Sequence, residues 1–245
     1  MQLAIDIGNT RTKTGLFDGA TLVKKTVWTQ WSVADVRRWL GEVPLDGAIF
    51  ASVADNDASL RMMLSDEFGA FELQAATPLP FRNAYRTPET LGKDRLAAAA
   101  GALALFPGQH CMVVDCGTCI KYELIDAGGT YHGGNIAPGL NMRIQAMHHF
   151  TARLPEVPLE MPAETVGNST TTALQNGALR GAALETEGFA GLFAQKARPL
   201  TVVLTGGDAP FLIDFLNLPR LNIEPDLTLY GLNYILTFNL NNITQ

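Results

Sequence analysis

One short phrase, written twice, constrains the fold more than anything else in the chain. An apolar strand ends in Asp-x-Gly with threonine close behind: Leu3-Ala4-Ile5-Asp6-Ile7-Gly8-Asn9-Thr10, and later Met112-Val113-Val114-Asp115-Cys116-Gly117-Thr118. Each copy runs on into a second apolar stretch, Thr12 to Asp18 and Ile120 to Asp126, which reads as the return arm of a hairpin. Two such hairpins suggest two related halves facing each other across a cleft, each offering a carboxylate and a glycine turn. Mg²⁺ takes a few carboxylate oxygens and keeps several waters, so a carboxylate at a strand end suits an ion beside a phosphate. Glycine carries no Cβ, which lets backbone N–H groups approach phosphate oxygens. Asn9, Thr10, Thr12 and Lys13 add donors and a positive charge. A single copy would be explained as well by a hairpin turn with a capping aspartate. The repetition points to phosphate chemistry.

Size and charge narrow the class. The 245 residues suit two small, tightly packed domains. A net charge of −6 offers no basic surface for a nucleic-acid backbone, so nucleic acid is not an expected partner. No apolar run approaches the ~20 residues that span a bilayer. The chain enters an acidic strand at once, without the pattern of a signal peptide, so the expectation is a cytoplasmic protein with no membrane partner. Cys116 and Cys119 form a lone CxxC, but it straddles a turn between strands and has no second metal-ligand pair, which argues against redox or zinc chemistry.

The pattern predicts strands at Gln2–Gly8, Thr12–Asp18 and Ala20–Trp28, then a helix at Ser32–Leu40 with Ser32 as N-cap. A strand at Gly47–Val53, a helix at Ala58–Glu67 and a strand at Phe71–Ala75 follow. Arg82 to Leu91 reads as irregular and surface-facing, and Asp94–Leu105 as an Ala-rich helix stopped by Pro107-Gly108. The second half repeats the plan, with strands at Cys111–Cys116, Cys119–Asp126 and Thr130–Ile136 and a helix at Gly139–Phe150. A long helix near Thr171–Gln195, a strand at Thr201–Thr205, a helix at Ala209–Phe215 and a closing helix at Leu227–Leu236 complete it. Strand triplets followed by strand–helix alternation give α/β layering. The expected domains are 1–109 and 110–245.

Neither GxxxxGK[ST] nor GxGxxG after a strand is present, so a nucleotide would need another scaffold. Gly92-Lys93-Asp94-Arg95 precedes the Ala-rich helix. Asp94 is a candidate general base and Arg95 a planar clamp for a carboxylate; the plainer alternative is an N-cap with a solvated arginine beside it. Gly133-Gly134-Asn135-Ile136-Ala137-Pro138-Gly139 enters a helix whose N-terminus favours anions. Thr205-Gly206-Gly207-Asp208 closes a strand in a turn that permits close backbone approach.

These segments, in this order, resemble the type III pantothenate kinases of the acetate kinase/Hsp70/actin-like superfamily. The resemblance rests on DIGNTRTK, GKDR, DCGT, GGNIAPG, the stretch Gly167–Gly177 and TGG, and covers nearly the whole chain. It implies two ribonuclease-H-like (actin-like ATPase) domains, each a mixed five-stranded sheet with flanking helices. It implies ATP-dependent phosphorylation of pantothenate to 4′-phosphopantothenate, the first step of coenzyme A synthesis. On this likeness Asp6, Ile7, Gly8, Asn9, Thr10, Arg11, Thr12 and Lys13 form the first phosphate loop, with Asp6 near Mg²⁺. Asp94 is the base, while Tyr85, Gly92, Lys93 and Arg95 hold pantothenate. Asp115 takes a monovalent cation, K⁺ or NH₄⁺, Thr118 meets the ATP phosphates, and Gly206 and Gly207 lie beside the adenosine. Thr170 reaches substrate across a homodimer interface. One departure is Cys119, where the family places a small alanine; a buried thiol packs as a small hydrophobe. The alternatives are another small-molecule kinase of the superfamily and a non-catalytic nucleotide-binding regulator. The intact Asp6, Asp94 and Asp115 argue for the enzyme.

Overall fold

The computed structural model describes residues 1–53 and 58–243. Contacts divide the chain into two compact units, Met1–Gly108 with Gly128–His132 and Asp226–Gln245, and Gln109–Ala127 with Gly133–Pro225. The C-terminal helix therefore packs within the first unit.

In the first unit, β1 (Gln2–Ile7), β2 (Thr12–Asp18) and β3 (Thr21–Trp28) form an antiparallel meander, and β4 (Gly47–Ser52) and β5 (Ala70–Glu72) extend it in parallel. The sheet order is β3-β2-β1-β4-β5. Because β1 is central, Leu3, Ala4 and Ile5 are fully buried, each large one worth about 1.5–3 kcal/mol of burial. The outer strand β3 is largely exposed and carries Lys24 and Lys25 on its two opposite faces, charges that discourage edge pairing. Helix α1 (Val33–Leu40) begins as expected at Ser32, in a reciprocal capping box with Asp35. Helix α2 (Ala58–Phe68) ends before β5. The predicted strand at Phe71–Ala75 is shorter, because β5 pairs only along Ala70–Glu72.

Helix α3 (Lys93–Leu105) and helix α8 (Leu227–Ile243) cross at glycines. A Cβ on Gly101 would stand 2.1 Å from the Leu227 carbonyl oxygen, and one on Gly231 would stand 1.8 Å from that of Ala97. The run Leu96–Ala100 is buried, which is why an alanine-rich sequence serves here: it lets a helix backbone approach its neighbour. Helix α8 runs further than Leu227–Leu236, since its polar end still bonds within the helix and to the loop before β6, Asn239 Nδ2 donating to the Pro78 carbonyl at 3.0 Å. The stretch read as irregular between Arg82 and Leu91 contains the two-residue strand β6 (Arg82–Asn83) and a 3₁₀ turn, Pro88–Thr90.

In the second unit, β7 (His110–Cys116) pairs antiparallel with β8 (Cys119–Ile125) and parallel with β10 (Leu200–Thr205). The sheet order is β11-β10-β7-β8-β9-β6, six strands where five were expected, with β6 and residues 130–132 at the start of β9 counted in the first unit. Strand β9 is Thr130–Pro138, and β11 (Leu221–Ile223) is a short addition whose three residues pair with β10. Gly134 is required at the β8 side of the sheet, where a Cβ would lie 1.6 Å from the Tyr122 carbonyl oxygen. Helix α4 (Leu140–His149) follows Gly139. The long helix is three segments: α5 (Thr170–Gln175), a π turn over Asn176–Arg180 and α6 (Gly181–Ala194). The π turn is pinned to the preceding loop. Arg180 donates to the Pro162 carbonyl at 2.9 Å, and Asn176 Nδ2 to that of Glu164 at 3.0 Å. Helix α7 (Ala209–Leu212) passes into a 3₁₀ turn, Ile213–Phe215. Tyr122 is buried under α6, its hydroxyl 2.9 Å from Glu185 Oε1, and Arg143 grips both oxygens of Glu185 at 2.8 and 2.9 Å.

Candidate functional site

Parallel strands place their chemistry at their carboxyl ends, where the chain turns away and backbone groups are left unpaired. In the first unit β1 ends at Asp6-Ile7. The turn is closed by Gly8, whose N–H donates to the Arg11 carbonyl at 3.1 Å, and a Cβ on Gly8 would stand 3.0 Å from that oxygen. Asn9, Thr10 and Arg11 are exposed at the tip, whereas Ile7 and Thr12, each 4% exposed, face each other in the paired strands β1 and β2. Lys13 stands opposite Asp6 in the β1–β2 register. Thr228, at the start of α8, donates its hydroxyl to Asp6 Oδ2 at 2.7 Å, a bond across 222 positions that no local pattern announces.

Also in the first unit, Gly92 is the N-cap of α3, so Asp94 lies in the first turn instead of capping it, and its Oδ1 accepts from the Arg95 N–H at 3.0 Å. A Cβ on Gly92 would stand 2.5 Å from that same oxygen. The glycine makes room for the carboxylate. Arg95 is 6% exposed, with its guanidinium 5.5 Å from the Tyr85 ring centroid. The plainer reading of a capping aspartate and a solvated arginine therefore does not hold. Tyr85 in turn lies 6.4 Å from Tyr131, and its N–H is held by Asn83 Oδ1 at 3.0 Å. Lys93 is ion-paired with Glu72 at the end of β5, and Arg61 approaches the same carboxylate at 3.6 Å. Tyr85, Gly92, Lys93, Asp94 and Arg95 are thus gathered around the start of α3.

In the second unit the DCGT turn is enclosed by glycine backbones. Gly139 N–H donates to the Thr118 carbonyl at 3.1 Å, and a Cβ there would be 2.2 Å from the Gly117 oxygen. Gly206, at φ +92°, would place a Cβ 2.3 Å from the Cys116 oxygen and 2.6 Å from Asp115 Oδ1. The Asp208 N–H donates to the Cys116 carbonyl at 3.0 Å. Thr118 and Gly207 are exposed on this turn. Lys121 stands opposite Asp115 in the β7–β8 register, as Lys13 stands opposite Asp6, and its ammonium is 2.7 Å from Asp115 Oδ2. Lys121 is the signal available in the sequence for this pairing, since its place in the return arm of the second hairpin matches that of Lys13 in the first. Thr205, in register with Asp115 on the other side, buries a hydroxyl that has no partner among the described residues.

Cys111 and Cys116 are buried, while Cys119 is partly exposed. Burial pushes the Cys111 thiol up to about 12. Burial, and then the charges of Asp115 and Asp208, push Cys116 upward as well, so neither supplies a thiolate near neutral pH. Thr170 sits one residue past the N-cap of α5. Ser169 and Thr172 satisfy that terminus between them, and the exposed Thr170 side chain has no hydrogen-bond partner among the described residues.

Two mixed sheets flanked by helices, each carrying an Asp-x-Gly hairpin, define the actin-like ATPase fold class. Two solved structures share the fold: a conserved Campylobacter jejuni protein of the Baf family, at 22% identity, TM-score 0.64 and coverage of 98% of this chain and 99% of that one, and component A of the (R)-2-hydroxyglutaryl-CoA dehydratase of Acidaminococcus fermentans, at 14%, 0.56, 100% and 99%. The family model for type III pantothenate kinase matches residues 2–191. A type III pantothenate kinase from Bacteroides fragilis is 41% identical over 240 residues, covering 98% of each chain. The chain belongs to the type III pantothenate kinase family. Among the described residues no helix is long and apolar enough to cross a membrane.

Proposed function

We propose that this chain is an ATP-dependent kinase that phosphorylates the primary hydroxyl of pantothenate, opening coenzyme A synthesis. Family membership supports the reaction, and the retention of Asp6, Asp94 and Asp115 together carries it. ATP supplies the phosphoryl group, and Mg²⁺ supplies positive charge against its oxygens. Asp6 fits that ion, because it is a partly exposed carboxylate beside a glycine turn, oriented by Thr228. The exposed tip of the first turn, Asn9, Thr10 and Arg11, and the exposed Thr118 of the second offer donors suited to phosphate oxygens, and Gly206 and Gly207 carry no side chain that would exclude an adenosine.

Asp94 accepts the hydroxyl proton. Its Oδ1 is steadied by the Arg95 N–H, which fixes the carboxylate for transfer. Arg95, its guanidinium 5.5 Å from the Tyr85 ring centroid, carries a fork suited to the pantothenate carboxylate. Catalysis by positioning and charge is what phosphoryl transfer asks of a protein, since little covalent chemistry is left to it. The working unit is a homodimer in which the partner's Thr170 completes the pantothenate pocket; an exposed hydroxyl at a helix start whose cap is already satisfied supports this reading.

The resemblance also assigns K⁺ or NH₄⁺ to Asp115. The residues present do not fit a mobile ion there: Oδ2 holds the Lys121 ammonium, and Oδ1 lies against the Gly206 backbone. No step is routed through such an ion. The deciding test of the kinase reading is a coupled ADP-release assay with pantothenate against a panel of sugars. Release driven by a sugar and not by pantothenate would overturn the substrate, and nucleotide binding without release on any acceptor would favour a regulator.

A further inference from the structure

We propose that Lys121 is a built-in monovalent cation: its tethered ammonium neutralises Asp115 at the second phosphate turn, so the enzyme works without K⁺ or NH₄⁺. The inference rests on the kinase reading above.

The need for a positive charge follows from the turn itself. Asp115 stands beside the DCGT backbone, and the charges of Asp115 and Asp208 together reach the Cys116 thiol between them. Two carboxylates there would repel the polyphosphate that Thr118 is proposed to meet. Some cation must offset them. The lysine side chain ends in the group that NH₄⁺ is, a compact ammonium with three donors. The antiparallel ladder sets Lys121 directly across from Asp115, and the two meet at 2.7 Å with side chains 19% and 17% exposed. A charge delivered by the ladder needs no capture from solution. A plain surface ion pair of this kind would add little stability and would be indifferent to which salt is dissolved around it. Loss of Lys121 separates the two: without a plain ion pair the variant stays indifferent to the salt, whereas without a built-in cation it depends on NH₄⁺ or K⁺.

Removing the lysine should recreate a cation site. Lys121→Ala leaves the Asp115 carboxylate and, in register beside it, the Thr205 hydroxyl, which has no hydrogen-bond partner among the described residues, as oxygen donors for a small cation. The assay is pantothenate-dependent ADP release in chloride salts of choline, Na⁺, K⁺ and NH₄⁺ at one ionic strength. The wild type is expected to keep the same rate within about twofold across the four. Lys121→Ala should lose about tenfold or more in choline, a threshold set below the ~10²–10³ that loss of a transition-state charge stabiliser costs, and regain most of it in NH₄⁺ or K⁺. The second readout is the melting temperature of both proteins in the same salts. It should be flat for the wild type, and should rise for Lys121→Ala in NH₄⁺ or K⁺ over choline, as binding to the folded state requires. Lys121→Met, which keeps the length of the side chain, replaces the alanine variant if that one does not fold.

A wild type at least fivefold faster in K⁺ than in choline, well beyond the twofold band set above, would overturn the proposal. So would a folded Lys121 variant that matches wild type in choline, or one whose melting ignores NH₄⁺ and K⁺. If the wild type turns over pantothenate in none of the salts, the kinase reading fails, while the melting comparison still decides whether Lys121 holds the cation's place.

Discussion

Replacing Gly231 by alanine sets two effects of opposite sign against each other. In a helix interior, glycine to alanine gains about 1 kcal/mol of propensity. Here the new Cβ would lie 1.8 Å from the Ala97 carbonyl oxygen and 2.7 Å from the Gly101 nitrogen. Both are backbone atoms of α3, so no rotamer change relieves them. An ordinary contact of about 3.4 Å would require the helices to part by roughly 1.5 Å, which places the cost at or above the upper end of the ~1–3 kcal/mol seen for overpacking. The net loss is about 2 kcal/mol, or about 4–8 °C in melting temperature for a chain of this size. Thermal unfolding followed by circular dichroism measures it. Gly101→Ala meets the Leu227 oxygen at 2.1 Å in the same crossing, so one separation relieves both. The double variant should therefore lose clearly less than the sum of the singles. A Gly231→Ala protein that melts at or above the wild-type temperature would show that the helices do not touch so closely. Since α3 carries Asp94 and α8 carries Thr228, the same variant should lower the rate as well.

Three further outcomes can be checked. Asp94→Asn should fold normally and lose ~10²–10⁴ in kcat, since an amide cannot take the proton; a folded variant that keeps a third of the wild-type rate would make Asp94 merely structural. Thr228→Val removes the 2.7 Å bond to Asp6 at nearly constant shape, and should cost about 1.5 kcal/mol of stability together with weaker Mg²⁺-ATP binding by calorimetry. Unchanged nucleotide affinity would detach Thr228 from the site. Mixed dimers of Asp94→Asn and Thr170→Ala chains should regain about a quarter to a half of wild-type activity, because one pocket then holds both intact residues; mixtures that stay inactive after subunit exchange would refute a shared pocket.

The sequence declares what is periodic and repeated, and conceals what depends on a partner. Strands β1, β2, β7 and β8 were legible because apolar runs met an Asp-x-Gly turn twice. The Ser32 cap was legible because its partner Asp35 is three residues away. Strands β6 and β11 were not, since a strand of two or three residues exists only through the neighbour it pairs with. The N-terminus of α3 was placed one residue late. Asp94 resembles a cap, but Gly92 holds that position because the carboxylate oxygen occupies the space a Cβ would take. The Asp6 and Asp115 turns could be read from the residues alone. Their orienting groups could not, because Thr228 lies 222 positions from Asp6, and Lys121 faces Asp115 only once the hairpin register is known.

The π turn between α5 and α6 has a consequence for anyone altering this chain. A residue in an α-helix advances about 100° around the axis, so one residue more or fewer turns everything beyond it by that angle. The widened turn at Asn176–Arg180 absorbs one such residue, and Asn176 and Arg180 lock it to the carbonyls of Glu164 and Pro162. The facing direction of Thr170 is thus set by a count of residues, not by its own neighbours. Deleting a single residue from the turn would swing Thr170 about a quarter revolution while leaving every other side chain of α5 and α6 chemically unchanged.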